Sequence, residues 1–438
     1  MSQQKVPHIV IVGGGAGGLI LATLLGRRLG RKDLARVTLV DAQLTHIWKP
    51  LLHEVAAGSM NPYEDELNYF AQAQRNGFAF QPGRMTGIDR EKKHLVLDDM
   101  QDPSGGTLLD ARTIEYDYLV IAIGSIANDF GTPGARDNCI YLDTREQAER
   151  FHRTLLSYYY RAKAKGFSDG SLGIAIIGAG ATGVELSAEV NHAARVLKAY
   201  GLDEIDPADV KITIIEAADR ILPALNERIS AGALAELQLL GINVLTSEKV
   251  TEVTPRGVAT ASGKLIPAQI RVWSAGVQAP AVLHDLAGLK GDRGNTLVVD
   301  SFLRTDDPFV FAIGDCASCT AKNARGETVR VPPRAQSALQ QAKWLARALP
   351  RMLQGKAPSV PFVYKDYGSL ISLSTYSTIG KLMGNLTGSV NVEGRVARLV
   401  YLSLYRTHQA TLYGWVRTAV FMLKDLLGRS SGPKLKMH

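Results

Sequence analysis

Glycines at three fixed positions recur in two segments of the chain. In the first segment, Gly13, Gly15 and Gly18 directly follow the apolar run 9–12, with Ala16 and Gly17 between them. This spacing gives a tight turn, allows the backbone to approach a pyrophosphate closely, and lets the following helix pack closely on the strand. The motif alone is weak evidence, so the surrounding elements decide its meaning.

Those elements complete a βαβ unit around the first motif. A helix is predicted to open at Leu19, and the strand 37–40 ends at Asp41. The helix N-terminus then faces the phosphates, and the Asp41 carboxylate can accept hydrogen bonds from a ribose diol. The first segment is therefore predicted to bind a dinucleotide.

The second glycine segment repeats the pattern. Its motif residues are Gly178, Gly180, Thr182 and Gly183, and the later strand 210–215 ends at Glu216. The distance along the chain from Gly13 to Gly178 predicts two separate domains and two bound nucleotides. The Glu216 charge should repel the extra phosphate of NADPH and favour NADH, although Arg220 nearby could soften that preference.

Three further buried strands end in small or acidic residues. One runs through 116–125 and includes Ala122 and Gly124, and another ends at Ala275 and Gly276. Such ends let the chain pass from one nucleotide domain to the other. The strand 309–313 leads into Gly314 and Asp315. In the flavin-dependent family that these segments resemble, a carboxylate at this place binds a ribityl hydroxyl of the flavin.

Together these segments resemble the two-dinucleotide flavin oxidoreductases of the glutathione-reductase-like superfamily. Within it, the chain is similar nearly end to end to the bacterial type II NADH dehydrogenases, which are non-pumping NADH:quinone oxidoreductases. The resemblance implies an α/β fold with two Rossmann-like domains that bind FAD and NADH. The expected domains are an FAD domain of residues 1–135 and 286–350, an NADH domain of 136–285, and a C-terminal segment, 351–438, that covers the flavin and binds the membrane.

Two segments carry residues specific to that family. The segment 48–55, which includes Lys49, looks like the part of the family that lies against the flavin. The segment 332–341 matches the family's AQxAxQ quinone motif, beginning at Ala335. Gln336 and Gln340 share a helix face there and can hydrogen-bond quinone carbonyls; the alternative is an exposed polar helix face without a role.

Glu185 lies in the first turn of the second dinucleotide helix. The resemblance places it near the flavin, between nicotinamide and quinone, as a candidate in the proton path. The alternative is an acid that only complements the helix N-terminus.

The three cysteines argue against a disulfide framework. Cys316 and Cys319 form a CxxC pair, which raises a redox or metal interpretation. Because no second CxxC or histidine cluster supplies further ligands, we expect no metal and interpret the pair as structural thiols.

The C-terminal residues are basic and amphipathic. From residue 391 to 438, eight Lys or Arg residues stand against two acidic ones, within a chain of net charge +8. Apolar residues recur at three- and four-residue intervals from Leu412 onward, interrupted by Arg417 and Lys424. This pattern predicts a helix that lies on anionic lipid and does not span it, with a core or dimer-interface helix as the alternative.

The resemblance implies a respiratory enzyme that passes hydride from NADH to FAD and electrons to a membrane quinone. Because no signal peptide or nucleic-acid motif is present, we expect a peripheral protein on the cytoplasmic face of the plasma membrane. A sulfide:quinone oxidoreductase is one alternative. Such an enzyme needs no NADH site, so the intact second glycine motif with Glu216 counts against it. An FAD- and NADH-dependent redox-sensing binding protein is the other. The native quinone and the oligomeric state, a homodimer included, stay open.

Overall fold

The structure is a computed structural model that describes residues 6–102, 104–165, 170–199, 206–373, 377–384, 388–393 and 406–431. The chain divides into two compact units, each assembled from separate stretches of sequence. The first unit comprises Met1–Trp48, Glu66–Ile126 and Gln278–Asp366, and the second comprises Lys49–Asp65, Ala127–Val277 and Tyr367–His438.

A five-stranded parallel sheet forms the centre of the first unit. Its strands, in spatial order, are Val310–Ala312, Tyr118–Ile121, His8–Val12, Arg36–Asp41 and Ala79–Pro82. The central strand is buried along its whole length, as expected for a parallel strand covered on both faces. Because parallel strands end at the same sheet edge, the glycine turn, Asp41 and the strand before Asp315 come to one edge.

Helices and smaller sheets surround this core. The helices are Gly18–Arg28, Tyr69–Asn76 and Ala335–Met352, with short 3-10 turns at Gly30–Lys32, Ala281–Leu283, Leu286–Gly288 and Gly314–Cys316. One antiparallel sheet contains Arg112–Glu115, His94–Leu97 and Met85–Asp89, and another group contains Leu297–Val299, Ala317–Asn323, Thr328–Arg330 and Val363–Tyr364. The remaining short pairs are Thr45–His46 with Leu67–Asn68 and Met100–Gln101 with Thr107–Leu109.

The second unit repeats the central architecture. Its parallel sheet has the spatial order Ile140–Tyr141, Ile270–Trp273, Leu172–Ile177, Val210–Ile215 and Asn243–Leu245. The strand Leu172–Ile177 takes the central place that His8–Val12 takes in the first unit. Each glycine motif therefore follows the middle strand of its own sheet, which is where a doubly wound fold binds nucleotides.

Helices cover this second sheet, and antiparallel strands extend the unit. The helices are Leu52–Ala57, Pro62–Asp65, Ala135–Asn138, Arg145–Lys165, Ala181–Ala199, Glu227–Leu239 and Trp415–Ser431, with one more over 406–413 and 3-10 turns at Lys49–Leu51 and Pro207–Asp209. Two antiparallel sheets comprise Val250–Thr254, Gly257–Thr260 and Leu265–Pro267, and Gly368–Leu373, Ser377–Gly384 and Gly388–Glu393. Short strands at Ile126–Ala127 and Val277–Gln278 occur where the chain changes unit.

The predicted fold class is confirmed: the chain is α/β, with two parallel dinucleotide-binding sheets and helices at the C-terminus. The assignment of FAD to one set of residues and NADH to the other stays a prediction at this point.

The C-terminal helix differs from the helix before it in exposure. The helix over 406–413 is packed, with His408, Gln409 and Leu412 buried. In Trp415–Ser431, by contrast, Trp415 is 71% exposed and Val416 is 81% exposed. Within the described part of the chain, no helix combines the length and apolarity needed to cross a bilayer.

Candidate functional site

The structure gives a different answer at each of the three glycines of the first motif to the question of why the residue is glycine. Gly13 adopts a positive φ of 99°, and a side chain there would collide with the Ala122 carbonyl. A side chain at Gly18 would collide with the carbonyl of Gly13, so close packing of helix on strand requires glycine there too. At Gly15, however, a Cβ would meet nothing within 4 Å and φ is not positive. The protein itself therefore gives no reason for glycine at position 15.

Asp41 closes the first turn. Its carboxylate accepts the Gly14 N–H at 2.5 Å and the Gln43 N–H at 2.7 Å. Burial raises the pKa of Asp41, and the two backbone hydrogen bonds oppose this rise by stabilising the charged form. The side chain thus stands at the strand end that the sequence predicted, bonded to the turn.

Three predicted motifs of the first unit meet around Ala338. A Cβ on Gly17 would lie 3.2 Å from the Ala338 carbonyl oxygen, and a Cβ on Gly314 would lie 3.4 Å from the Ala338 Cβ. The glycine turn and the Gly-Asp turn therefore both lie against the helix that begins at Ala335. Ala16 lies in the glycine turn itself, just before the helix that starts at Gly18.

The Gly-Asp turn is held by two polar side chains. The Ser125 hydroxyl donates to Asp315 Oδ2 at 2.9 Å, and the Gln341 Oε1 accepts the Gly314 N–H at 2.7 Å. Gly124, one residue before Ser125, has a positive φ of 72° and open space where a Cβ would stand. The position of Asp315 is therefore fixed from both the strand end and the helix.

Gln336 and Gln340 lie on the same helix, Ala335–Met352, and both are half-buried. The Gln340 amide donates to the Lys365 carbonyl at 2.7 Å and accepts the Lys365 N–H at 3.0 Å. The Tyr364 hydroxyl donates to Gln336 Oε1 at 3.2 Å. The two amides therefore also attach the short strand Val363–Tyr364 and its neighbour to this helix.

The second glycine turn repeats the geometry of the first. Gly178 has a positive φ of 101°, and a Cβ there would lie 2.7 Å from Ala275 Cα. A side chain at Gly183 would collide with the Gly178 carbonyl, whereas at Gly180 a Cβ would meet nothing within 4 Å. Thr182 is exposed at the start of the helix Ala181–Ala199.

Glu216 closes the second turn as Asp41 closes the first. Its carboxylate accepts the Ala179 N–H at 2.7 Å and the Ala218 N–H at 2.9 Å. Arg220, which could soften a preference for NADH, forms an ion pair with Glu227 at 3.3 Å. Gly276, with a φ of 69°, packs against the Phe130 ring.

Glu185 is a buried acid in a cluster of polar groups within the second unit. Its Oε1 accepts the Ser372 N–H at 3.0 Å, and its Oε2 lies 3.8 Å from His53 Nδ1. Burial raises the pKa of Glu185 to about 8, and the Glu54 and Glu189 carboxylates add to this rise. Burial lowers the pKa of His53 to about 4. At neutral pH the acid is therefore mostly protonated, and it can donate a proton.

Lys49 lies in the second unit, where its ammonium group forms an ion pair with Asp143 at 2.9 Å. Asp143 also accepts the Ala127 N–H at 2.8 Å. This pairing could not be read from the sequence, and the predicted contact of Lys49 with a flavin stays a prediction.

All three cysteines are free, buried thiols. Burial raises the pKa of Cys139 to about 12 and those of Cys316 and Cys319 to about 11. The Cys316 thiol donates to the Ile313 carbonyl at 3.2 Å. Buried thiols with raised pKa values are poor nucleophiles and weak metal ligands. Among the described residues, no group of three or more His, Cys, Asp or Glu side chains is arranged to hold a metal ion.

Several contacts at these sites come from residues that sequence motifs did not single out as site residues. They are Tyr69 against Gly14, Gln341 against Gly314, His53 and Ser372 against Glu185, and Ser59, whose hydroxyl donates to Glu189 at 2.6 Å. The partners in each pair are far apart in sequence, so no local pattern could link them. Gln341 alone among these residues lies in a motif segment, 332–341, but the motif did not indicate its contact with Gly314.

Comparison with known proteins agrees with this geometry. The chain matches the family of pyridine nucleotide-disulphide oxidoreductases over residues 7–342. It is 43% identical over 447 aligned residues to a type II NADH:quinone oxidoreductase of Haemophilus influenzae, with 98% of this chain and 100% of that protein covered.

Two solved structures share the fold. NDH2 from Plasmodium falciparum in complex with NADH has a TM-score of 0.81 at 19% identity, with 99% of this chain and 100% of that chain covered. The sulfide:quinone oxidoreductase of Aquifex aeolicus has a TM-score of 0.70 at 17% identity, with 93% and 92% covered. At these identities both similarities establish architecture alone, so the full-length relative decides the family. The chain belongs to the pyridine nucleotide-disulphide oxidoreductases and, within them, to the type II NADH:quinone oxidoreductases that the motifs predicted.

Proposed function

We propose that this protein oxidises NADH and reduces a membrane quinone through a bound FAD, without pumping protons. The observation that carries the proposal is the open space at Gly15 and Gly180. Neither position needs glycine for its backbone conformation or for packing, whereas a pyrophosphate that lies against the turn needs the missing side chain. Each of these glycines lies in a turn whose backbone is bonded to an acidic side chain, Asp41 or Glu216. This repeated arrangement supports two dinucleotide sites in one chain.

FAD is assigned to the first unit, because the Gly-Asp turn and the quinone-motif helix meet the glycine turn there. When bound, FAD supplies the redox chemistry by accepting hydride from NADH and returning two electrons to quinone. The first-unit residues proposed to hold it are Gly13, Gly15, Ala16, Gly17, Gly18, Asp41, Ala122, Gly124, Asp315 and Ala335. The contact of Lys49 with the flavin, which the family resemblance implies, stays a separate prediction, because Lys49 belongs to the second unit and pairs with Asp143. Asp41 would bind the ribose diol and Asp315 a ribityl hydroxyl, while the Ala335 helix directs its positive end at the flavin.

NADH is assigned to the second unit. The proposed residues are Gly178, Gly180, Thr182, Gly183, Glu216, Ala275 and Gly276. Glu216 retains acceptor capacity beyond its two backbone bonds, so it can also accept hydrogen bonds from the ribose hydroxyls. Arg220, the nearby cation that could favour a ribose phosphate, forms an ion pair with Glu227.

Gln336 and Gln340 are proposed to bind the quinone carbonyls, and Glu185 to supply a proton. The Gln340 amide is already bonded to Lys365, so its quinone role requires either a shared or an exchanged hydrogen bond. Glu185 suits proton donation because it is buried and mostly neutral near pH 7.

The exposed face of Trp415–Ser431 is proposed to attach the protein to the cytoplasmic face of the plasma membrane. Trp415, Val416, Val420 and Leu423 are each more than half exposed, and Arg417 and Lys424 stand among them. Apolar burial and attraction to anionic lipid act together in such interfacial helices.

The sulfide:quinone alternative is less well supported. Such chemistry needs reactive cysteines, whereas the three here are buried and have raised pKa values. The second nucleotide site, with Glu216, would also have no purpose in it.

Replacing each open glycine by alanine tests the two cofactor assignments separately. Gly15→Ala should weaken FAD binding by roughly 10- to 100-fold, since a methyl group would occupy the phosphate space. Gly180→Ala should raise the KM for NADH and leave FAD content unchanged. Fluorescence titration of flavin-free protein and steady-state kinetics measure the two effects. Gly13→Ala should instead destabilise the fold itself, because its side chain would collide with the Ala122 carbonyl. The assignment is wrong if Gly15→Ala affects NADH and spares FAD.

The buried acid predicts a pH dependence of the quinone step. Reoxidation of the reduced protein by quinone should slow as the pH rises through about 8, because Glu185 then loses its proton. Glu185→Gln should slow that step by roughly 100-fold and remove the inflection, while reduction by NADH stays near normal. Rapid-mixing absorbance separates the two steps. Glu189→Gln removes a neighbouring charge that raises the pKa of Glu185 but leaves the Glu185 proton in place, so it should keep the inflection and move it to lower pH. An unchanged pH profile in Glu185→Gln would exclude the proton role.

The same group predicts how stability depends on pH. The folded-state pKa of Glu185 lies above its ordinary value of 4.5, so the folded state binds more protons than the unfolded state between these values. Stability should therefore fall as the pH rises from about 4.5 to about 8, and this contribution should be absent in Glu185→Gln. Urea unfolding at several pH values provides the check.

Truncation after Gly414 tests membrane attachment and leaves the buried helix over 406–413 in place. The shortened protein should retain FAD but no longer sediment with anionic vesicles. High salt should weaken attachment of the full chain only partly, because screening removes the charge contribution and leaves apolar burial. Sedimentation of the truncated protein equal to that of the full chain would place the membrane contact elsewhere.

A further inference from the structure

The carbonyl of Gly14 is held by a buried tyrosine. The Tyr69 hydroxyl donates to Gly14 O at 2.8 Å, and only 2% of Tyr69 is exposed. Tyr69 begins the helix Tyr69–Asn76, whose N-cap residue Asn68 accepts the Ala71 N–H at 3.0 Å. The capped helix thus fixes where the phenol ring enters the core.

Gly14 and Tyr69 are fitted to each other. A Cβ on Gly14 would collide with the phenol oxygen and ring of Tyr69. Gly14 has no positive φ, so its glycine is explained by this contact and not by its backbone conformation. The Tyr69 ring also packs against Phe80, with ring centroids 5.0 Å apart, which leaves the hydroxyl little freedom to move away.

The hydrogen bond sets the direction of the next N–H group. In a planar trans peptide, the C=O of Gly14 and the N–H of Gly15 point in opposite directions. Because the Gly14 carbonyl faces Tyr69, the Gly15 N–H points away from it. The Gly14 N–H is bonded in turn to Asp41, so both peptide planes around Gly14 are fixed.

The second glycine turn fixes the same peptide by other means. There Ala179 replaces Gly14, and its N–H is bonded to Glu216 at 2.7 Å. The Ala179 carbonyl accepts the backbone N–H of Leu222 at 2.8 Å, and Leu222 has a positive φ of 48°. In both turns, this carbonyl therefore accepts a hydrogen bond. The donor is the Tyr69 hydroxyl in the first unit and the Leu222 backbone N–H in the second.

We propose that Tyr69 is a positioning residue for FAD, which holds the Gly14–Gly15 peptide so that the Gly15 N–H is directed at the pyrophosphate. The inference rests on the proposed assignment of FAD to the first unit. Tyr69 acts through this peptide, and its effect should appear in the affinity for FAD.

The surroundings of Tyr69 keep it a donor. Burial, together with the Asp41 carboxylate, raises the pKa of Tyr69 well above its ordinary value, so the hydroxyl keeps its proton throughout the physiological range. The buried His46 ring, whose centroid lies 6.4 Å from that of Tyr69, also hydrogen-bonds the Gly14 backbone. Loss of the Tyr69 hydroxyl should therefore loosen the Gly14–Gly15 peptide but not release it completely.

The experiment compares Tyr69→Phe with Tyr116→Phe. Tyr116 is also buried in the first unit, and its hydroxyl has no hydrogen-bond partner among the described residues. Each variant is freed of flavin and titrated with FAD, with quenching of flavin fluorescence as the readout. Tyr69→Phe should raise the FAD Kd about 2- to 13-fold, the range for one neutral hydrogen bond, and Tyr116→Phe should leave it unchanged. The KM for NADH at saturating FAD should be unaltered in both.

A second variant and a stability measurement complete the test. Gly14→Ala, which pushes the phenol off the carbonyl, should also weaken FAD binding, and urea unfolding of the flavin-free proteins checks that each variant is folded. The inference is overturned if folded Tyr69→Phe binds FAD as tightly as Tyr116→Phe does. If the unaltered chain itself fails to bind FAD, the proposed function fails, and the inference fails with it.

Discussion

In each unit, the N–H that follows the first glycine of the turn is bonded to a carboxylate at the end of the neighbouring strand. Asp41 accepts it in one unit and Glu216 in the other. This bond holds the turn at the sheet edge, directly before a helix whose N-terminus carries partial positive charge. Gly15 in one unit and Gly180 in the other, where a Cβ would meet nothing within 4 Å, lie between this bonded N–H and the helix. The fixed turn, the open space at the glycine and the helix N-terminus together form an arrangement that suits a phosphate.

The distribution of charge follows from this arrangement. Asp41 and Glu216 each bind the backbone of a glycine turn, and a helix N-terminus with partial positive charge follows each turn. Burial raises the pKa of Glu185 to about 8, so this side chain is mostly protonated at pH 7, the state that the proposed proton donation needs. Most of the excess of basic residues lies in the C-terminal stretch from residue 391 to 438.

The sequence contained enough to predict both sheets and both turns, because glycine spacing and strand-end acids are local patterns. Gly13, Gly18, Asp41 and their counterparts stand where the motifs placed them. The pairing of Tyr69 with Gly14 was not predictable, since no local periodicity links residues brought together only by the fold. The same holds for Ser372 with Glu185 and for Lys49 with Asp143. The motif gave Gln336 and Gln340 a shared helix face, but it could not show that Gln340 already binds the Lys365 backbone.

The central claim is that two nucleotide sites in one chain carry electrons from NADH to quinone, and a single-turnover experiment tests it most directly. The purified protein, loaded with FAD, is mixed without oxygen with one equivalent of NADH and then with one equivalent of a soluble quinone, while flavin absorbance is followed. The account predicts that the flavin bleaches on the first addition and regains its full absorbance on the second. Failure of NADH to bleach the flavin, or failure of quinone to restore it, would contradict the account.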